Sequence, residues 1–138
     1  MQKLIIKGKK KLFGSINISG SKNATLPILA ATLLTDKVII LKNIPLVQDV
    51  YTMINLLKFI GLNVEISKKK NTLKIFGNKK LKTVAPYNLL KTMRAGVLVL
   101  GPLLAKCKKA KISLPGGCAI GARPVNLHLF ALERLGAK

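Results

Sequence analysis

The feature that most restricts what this chain can fold into is a repeat. The stretch Leu57-Lys-Phe-Ile-Gly-Leu-Asn63 returns in outline as Leu132-Glu-Arg-Leu-Gly-Ala-Lys138. Each follows the same order of patterns: an apolar helix, a short strand, an amphipathic helix and a glycine cap. In the first pass the helix runs over Ala24–Leu34, with Pro27 in its opening turn, where proline is tolerated. A short buried strand is expected at Val38–Leu41. An amphipathic helix is expected at Val47–Ile60, with Asp49 in its first turn and Gly61 as cap. Strands at Val64–Ser67 and Thr72–Phe76 follow, joined by a Lys-Asn turn. In the second pass Tyr87–Ala105 reads as a helix that Pro102 kinks or ends, and Ile112–Leu114 as a strand. The loop Pro115-Gly-Gly-Cys-Ala-Ile-Gly121 then leads to a helix over Pro124–Leu135, capped by Gly136. Ahead of both passes, Leu4–Ile6 and Ser15–Ser19 have strand character, punctuated by Gly8 and Gly14, and suggest a hairpin. The first unit runs on into two strands and the second halts at Lys138, so the chain is expected to be the front part of a longer protein.

The repeat needs apolar material, and 49% hydrophobic residues over 138 positions supply a core of domain size. Lys and Arg number 25 against 4 Asp and Glu, a formal charge of +21. Only Asp36, Asp49, Glu65 and Glu133 are carboxylates, and they are scattered. That scarcity excludes paired-carboxylate hydrolysis and oxygen-rich Ca or Mg cages. One His and two Cys at unhelpful spacing argue against a metal site, and Cys107 and Cys118 do not form a disulfide framework. No apolar run is long enough for a signal peptide or a bilayer span. A soluble, cytoplasmic protein with free thiols is expected. The charge invites a nucleic-acid reading. Against it, the cations are nearly all Lys, the only Arg being Arg94, Arg123 and Arg134, and aromatics are 4% with no Trp. A Lys-, Ile- and Asn-biased composition accounts for the charge, and no nucleic-acid partner is expected.

Three segments carry chemistry. Gly20-Ser-Lys-Asn23 precedes an apolar helix, where small residues allow close backbone approach and the helix N-terminus favours an anion. Lys22 adds a full charge there; the plainer reading is a capping turn with a solvated lysine. Arg94 lies in the apolar stretch Thr92-Met-Arg-Ala-Gly-Val-Leu-Val-Leu100 and needs either an anionic partner, such as a phosphate, or an exit to water. Cys118 sits in a glycine-rich loop close to Arg123 and a helix start. That setting lowers a thiol pKa and suits a nucleophile or general acid, with an inert loop residue as the alternative. His128, beyond the loop, reads as a packing or hydrogen-bonding residue rather than a base.

Gly20-Ser-Lys-Asn-Ala-Thr-Leu-Pro27, Lys91-Thr-Met-Arg-Ala95 and Leu114-Pro-Gly-Gly-Cys-Ala-Ile-Gly-Ala-Arg-Pro-Val-Asn-Leu-His-Leu129 together closely resemble the UDP-N-acetylglucosamine 1-carboxyvinyltransferase family. The resemblance runs along essentially the whole chain. It implies the α/β (α+β) enolpyruvyl transferase fold: two similar domains of repeated strand-and-helix units, each an inside-out α/β barrel, with the active site between them. Here that fold would be incomplete. Residues 1–20 would be strands of the second domain, whose remainder is missing. Residues 21–138 would be a partial first domain of about one and a half repeat units.

The implied activity is transfer of the enolpyruvyl group of phosphoenolpyruvate to the 3-hydroxyl of UDP-N-acetylglucosamine with release of phosphate, the committed step of peptidoglycan synthesis. By the resemblance, Lys22 and Asn23 contact phosphoenolpyruvate. Arg94 and Arg123 face the UDP-sugar and phosphate region, and Cys118 donates a proton and can form a covalent adduct. Pro124, Val125, Asn126 and Leu127 hold the uridine end. Asn126 departs from the aspartate usual there, giving an amide that both donates and accepts, without charge. No cofactor, metal or membrane is implied. The general base would come from the C-terminal part of the same enzyme, so the isolated chain is expected to be inactive. Two alternatives stand: a catalytically inactive basic remnant that binds anionic ligands or nucleic acid, and the sister transferase acting on shikimate 3-phosphate. The cysteine loop speaks against the sister enzyme.

Overall fold

A computed structural model of the chain describes residues 3–9, 11–91, 93–113 and 125–138. Its elements are α1 (Lys22–Ala31), β1 (Ile39–Leu41), α2 (Gln48–Ile60), β2 (Asn63–Ser67), β3 (Thr72–Phe76), β4 (Val84–Ala85), α3 (Tyr87–Leu90), α4 (Leu100–Cys107), β5 (Lys111–Ile112) and α5 (Asn126–Arg134). Two 3₁₀ segments, Thr32–Leu34 and Arg94–Val99, extend α1 and precede α4.

α2 follows from its spacing. Val50, Met53, Ile54, Leu57 and Ile60 recur at helical intervals and are all buried. Fully burying side chains of this kind contributes about 1.5–3 kcal/mol each. The helix stops where Gly61 takes a φ of 127°, with the Leu62 N–H bonded to the Leu57 carbonyl at 3.0 Å. α5 ends the same way. Gly136 has a φ of 96°, and the Ala137 N–H reaches the Leu132 carbonyl at 3.0 Å. The two halves of the sequence repeat therefore close their helices with one hydrogen-bond pattern, the six-to-one bond of a glycine-terminated helix.

β2 and β3 form an antiparallel hairpin, and β1 pairs antiparallel with the free edge of β3, giving the order β1-β3-β2. Val64, Leu73 and Ile75 turn into the core, while Glu65 and Lys74 face each other on the exposed side. Alternation on the two hairpin strands follows from one sheet face meeting helices and the other meeting water. β4 and β5 form a separate parallel pair. α1 packs on α2 and on the 3₁₀ segment that begins at Arg94, and α4 packs on the 3₁₀ segment Thr32–Leu34 that follows α1. The core gathers Leu29 and Leu33, the inner face of α2, Leu90, Val99 and Leu103.

Several expectations are corrected. α1 begins at Lys22, so Pro27 falls beyond the first turn and has no N–H to give the Asn23 carbonyl. β1 is half-exposed rather than buried, because it is a sheet edge; Ile40 points to water. The expected helix over Tyr87–Ala105 is broken into α3, a 3₁₀ segment and α4. Gly96 folds the backbone so closely onto buried Leu90 that an added Cβ would lie 2.1 Å from Leu90 Cδ2. Pro102 does not end α4; it is the third residue of a helix that runs on to Cys107. β5 covers Lys111–Ile112, and α5 starts at Asn126 rather than at Pro124. No strand occurs in the described residues up to 20; Leu12 and Phe13 are each 93% exposed. A strand needs a paired neighbour and a surface to cover, and among the described residues this segment has neither.

Candidate active site

The site is built on the N-termini of α1 and α2. Ser21 caps α1: its Oγ accepts the Ala24 N–H at 3.4 Å, and its carbonyl accepts the Thr25 N–H and hydroxyl at 2.9 and 2.8 Å. The cap fixes the first turn, so Lys22 and Asn23 stand exposed on the first two helical positions, beside N–H groups free of intrahelical acceptors. α2 begins alongside, and its first-turn Asp49 takes the Lys22 ammonium at 2.7 Å; the two side chains are 46% and 37% exposed. Asp49 was not singled out by the sequence. The available signal was the scarcity of carboxylates, which makes each one informative in so basic a chain.

Arg94 is half-buried and opens the 3₁₀ segment that packs against α1, so Lys22, Asn23 and Arg94 come from neighbouring elements. Val125 to Leu127 are placed elsewhere. Val125 is the residue before α5 and lines a cleft of about 300 Å³ together with Val97, Leu100, Ile112 and Leu129. No residue of α1 lines that cleft. Asn126 and Leu127 are exposed at the start of α5. Cys118, Arg123 and Pro124 lie outside the described residues, as do Leu114 and the loop that follows it. His128 is exposed on α5 and borders a second, apolar groove with Leu98 and Leu132.

Among the described residues no three His, Cys, Asp or Glu side chains are grouped to hold a metal ion, and no helix is long and apolar enough to cross a membrane. The described residues place here an ammonium held by Asp49 at the exposed start of α1, and an arginine on the 3₁₀ segment that packs against that helix.

Residues 6–138 match the family described as EPSP synthase (3-phosphoshikimate 1-carboxyvinyltransferase). The chain belongs to this family. Within the EPSP synthase family its relatives carry a different substrate in their names. It is 62% identical, over its whole length, to a UDP-N-acetylglucosamine 1-carboxyvinyltransferase of Pelagibacter ubique, of which it covers 33%. Proteins of the same name from Endomicrobium trichonymphae and Thermodesulfovibrio yellowstonii are 52% and 55% identical, with 32% of each covered. The chain thus spans about a third of the length of these relatives. The enolpyruvyl transferase NikO from Streptomyces tendae shares the fold, with a TM-score of 0.61 at 16% identity over 71% of this chain and 22% of NikO. The expected α/β fold and the family expected from the motifs both hold. The strands of the described residues close no barrel.

Proposed function

We propose that this chain forms part of an enolpyruvyl transferase that joins phosphoenolpyruvate to the 3-hydroxyl of UDP-N-acetylglucosamine. The observation that carries the proposal is identity of 49–62% along essentially the whole chain to proteins bearing that activity in their name. Residues 1–20 are assigned to the second domain and 21–138 to a partial first domain, with the rest of the cleft supplied by sequence equivalent to the remainder of the relatives. A cytoplasmic location goes with such substrates.

The chemistry is addition followed by elimination. The sugar hydroxyl oxygen bonds to C2 of phosphoenolpyruvate, its proton passing to a base from the remainder of the enzyme, while the C2–C3 double bond takes up a proton at C3. The resulting tetrahedral adduct loses a proton from C3 and expels phosphate, restoring the double bond. Negative charge on phosphate and carboxylate must be met throughout by fixed cations. Lys22 and Asn23 take phosphoenolpyruvate, and the exposed start of α1 favours this by leaving both residues open to solvent. Arg94 and Arg123 hold the phosphate-bearing substrates, Cys118 supplies the C3 proton, and Pro124, Val125, Asn126 and Leu127 hold the uridine. The Lys22 ammonium gives one of its three N–H donors to Asp49 and keeps the others for an incoming anion.

The test uses a protein of the relatives' length carrying this segment. Phosphate release should require both phosphoenolpyruvate and UDP-N-acetylglucosamine, and Cys118→Ala should lower turnover strongly. Release with shikimate 3-phosphate in place of the nucleotide sugar would establish the sister activity instead. Full turnover of Cys118→Ala at neutral pH would remove the proton-donor role.

A further inference from the structure

Asn43 lies outside every residue assigned above, yet it grips the approach to α1. It stands between β1 and α2 with a left-handed backbone, φ 55°. Its side chain reaches back across the sequence: Oδ1 accepts the Gly20 N–H at 3.2 Å, and Nδ2 donates to the Ile18 carbonyl at 3.5 Å. The backbones touch as well. A Cβ added at Gly20 would lie 1.9 Å from the Asn43 carbonyl oxygen, so only glycine fits there. Asn43 is itself held. Its neighbour Ile44 is buried, and the Ile44 N–H donates to the Asn71 carbonyl at the tip of the β2–β3 hairpin at 2.9 Å. A continuous set of contacts therefore runs from the hairpin tip through Ile44 and Asn43 to Gly20, two residues before Lys22. At the far end of the same connection Asp49 holds the Lys22 ammonium.

We propose that Asn43 is a positioning residue for Lys22 and Asn23. The Ser21 cap shapes the first turn of α1 but does not set the direction from which the chain enters it. The Asn43–Gly20 contact does, because it ties the residue before the cap to the connection that leads into α2. Asn43 acts through the backbone and touches no substrate. The inference rests on the reading that Lys22 and Asn23 contact phosphoenolpyruvate.

The experiment measures KM for each substrate and kcat by phosphate release in a protein of the relatives' length, with a thermal midpoint for every variant. Asn43→Ala should raise KM for phosphoenolpyruvate about tenfold, the size of one lost hydrogen bond. KM for UDP-N-acetylglucosamine should stay within about twofold. Asn43→Asp keeps an acceptor for the Gly20 N–H and should recover most of the loss. Gly20→Ala should act in the same direction, and the double variant should be no worse than the worse single one, since both break one contact. An active unaltered enzyme whose KM for phosphoenolpyruvate survives Asn43→Ala, with only the thermal midpoint lowered, overturns this inference alone. Multiplying effects in the double variant also overturn it. An unaltered enzyme that releases no phosphate overturns the functional reading and this inference with it.

Discussion

Gly77→Ala tests how the sheet is joined to α4. Gly77 follows β3 where the chain crosses the Thr35–Asp36 turn. An added Cβ would lie 2.4 Å from the Asp36 carbonyl carbon, 2.5 Å from its Cα and 2.6 Å from the Thr35 oxygen. These are all backbone atoms, so no rotamer relieves the overlap, and the two segments must separate. Separation reaches Lys106, whose ammonium spans the junction. It bonds Asp36 Oδ1 at 2.6 Å, the Asn78 carbonyl at 3.1 Å and the Thr35 carbonyl at 3.4 Å. Overpacking of this kind costs about 1–3 kcal/mol. Each lost carbonyl bond adds about 0.5–1.5 kcal/mol. The ion pair adds under about 1 kcal/mol, because the Asp36 side chain is 44% exposed. The expected loss for Gly77→Ala is about 3 kcal/mol, and for Lys106→Met about 1–2 kcal/mol. Urea unfolding followed by far-ultraviolet circular dichroism reads both. At a slope of about 1–3 kcal/mol per molar the midpoint for Gly77→Ala should fall by roughly 1–3 M. The double variant should lie within about 0.5 kcal/mol of Gly77→Ala, since the first change already opens the Lys106 contacts. A loss below about 0.5 kcal/mol for Gly77→Ala, or full additivity in the double variant, would refute the argument.

Three further outcomes follow from the same geometry and are read by the same unfolding assay. Leu57→Ala, at a fully buried position of α2, should cost about 2–5 kcal/mol. Ser21→Ala removes the α1 cap and should cost about 1 kcal/mol; no change would mean the 3.4 Å contact contributes nothing. Gly61→Ala should cost about 1–3 kcal/mol from its left-handed backbone. It should exceed Gly136→Ala, because a Cβ at Gly61 also meets the Lys80 carbonyl at 3.3 Å while Gly136 faces open space.

What the sequence disclosed depended on how local the deciding force was. α2 and the β2–β3 hairpin were legible to within a residue, since an apolar stripe, a glycine stop and a Lys-Asn turn are properties of neighbouring positions. The stretch from Tyr87 to Ala105 was misread because its apolar run is helical by pattern, whereas Met93 takes an extended backbone between α3 and the 3₁₀ segment, a break that no glycine or proline at that position announces. In the sequence Lys106 is one lysine among many. It is only 16% exposed, for a reason the pattern cannot carry: its partners lie far away in sequence. Of the candidate site, Lys22, Asn23 and Arg94 were visible as cations and amides beside apolar helices. Asn43 and Asp49 were not, because each matters through a contact more than 20 positions away.

That same Lys106 link has a consequence for the order of events in folding. The β2–β3 hairpin joins strands separated only by a tight turn, and such units form within about 1–10 μs. The bond from Lys106 to Asp36 joins residues 70 positions apart and requires β3, α4 and the turn after α1 to be in place beforehand. Closing a chain segment of that length costs entropy that the hairpin does not incur. If the bond forms after the rate-limiting step, Lys106→Met will speed unfolding and leave the folding rate nearly unchanged. The two limbs of a denaturant chevron then separate how long the folded unit lasts from how quickly it is reached.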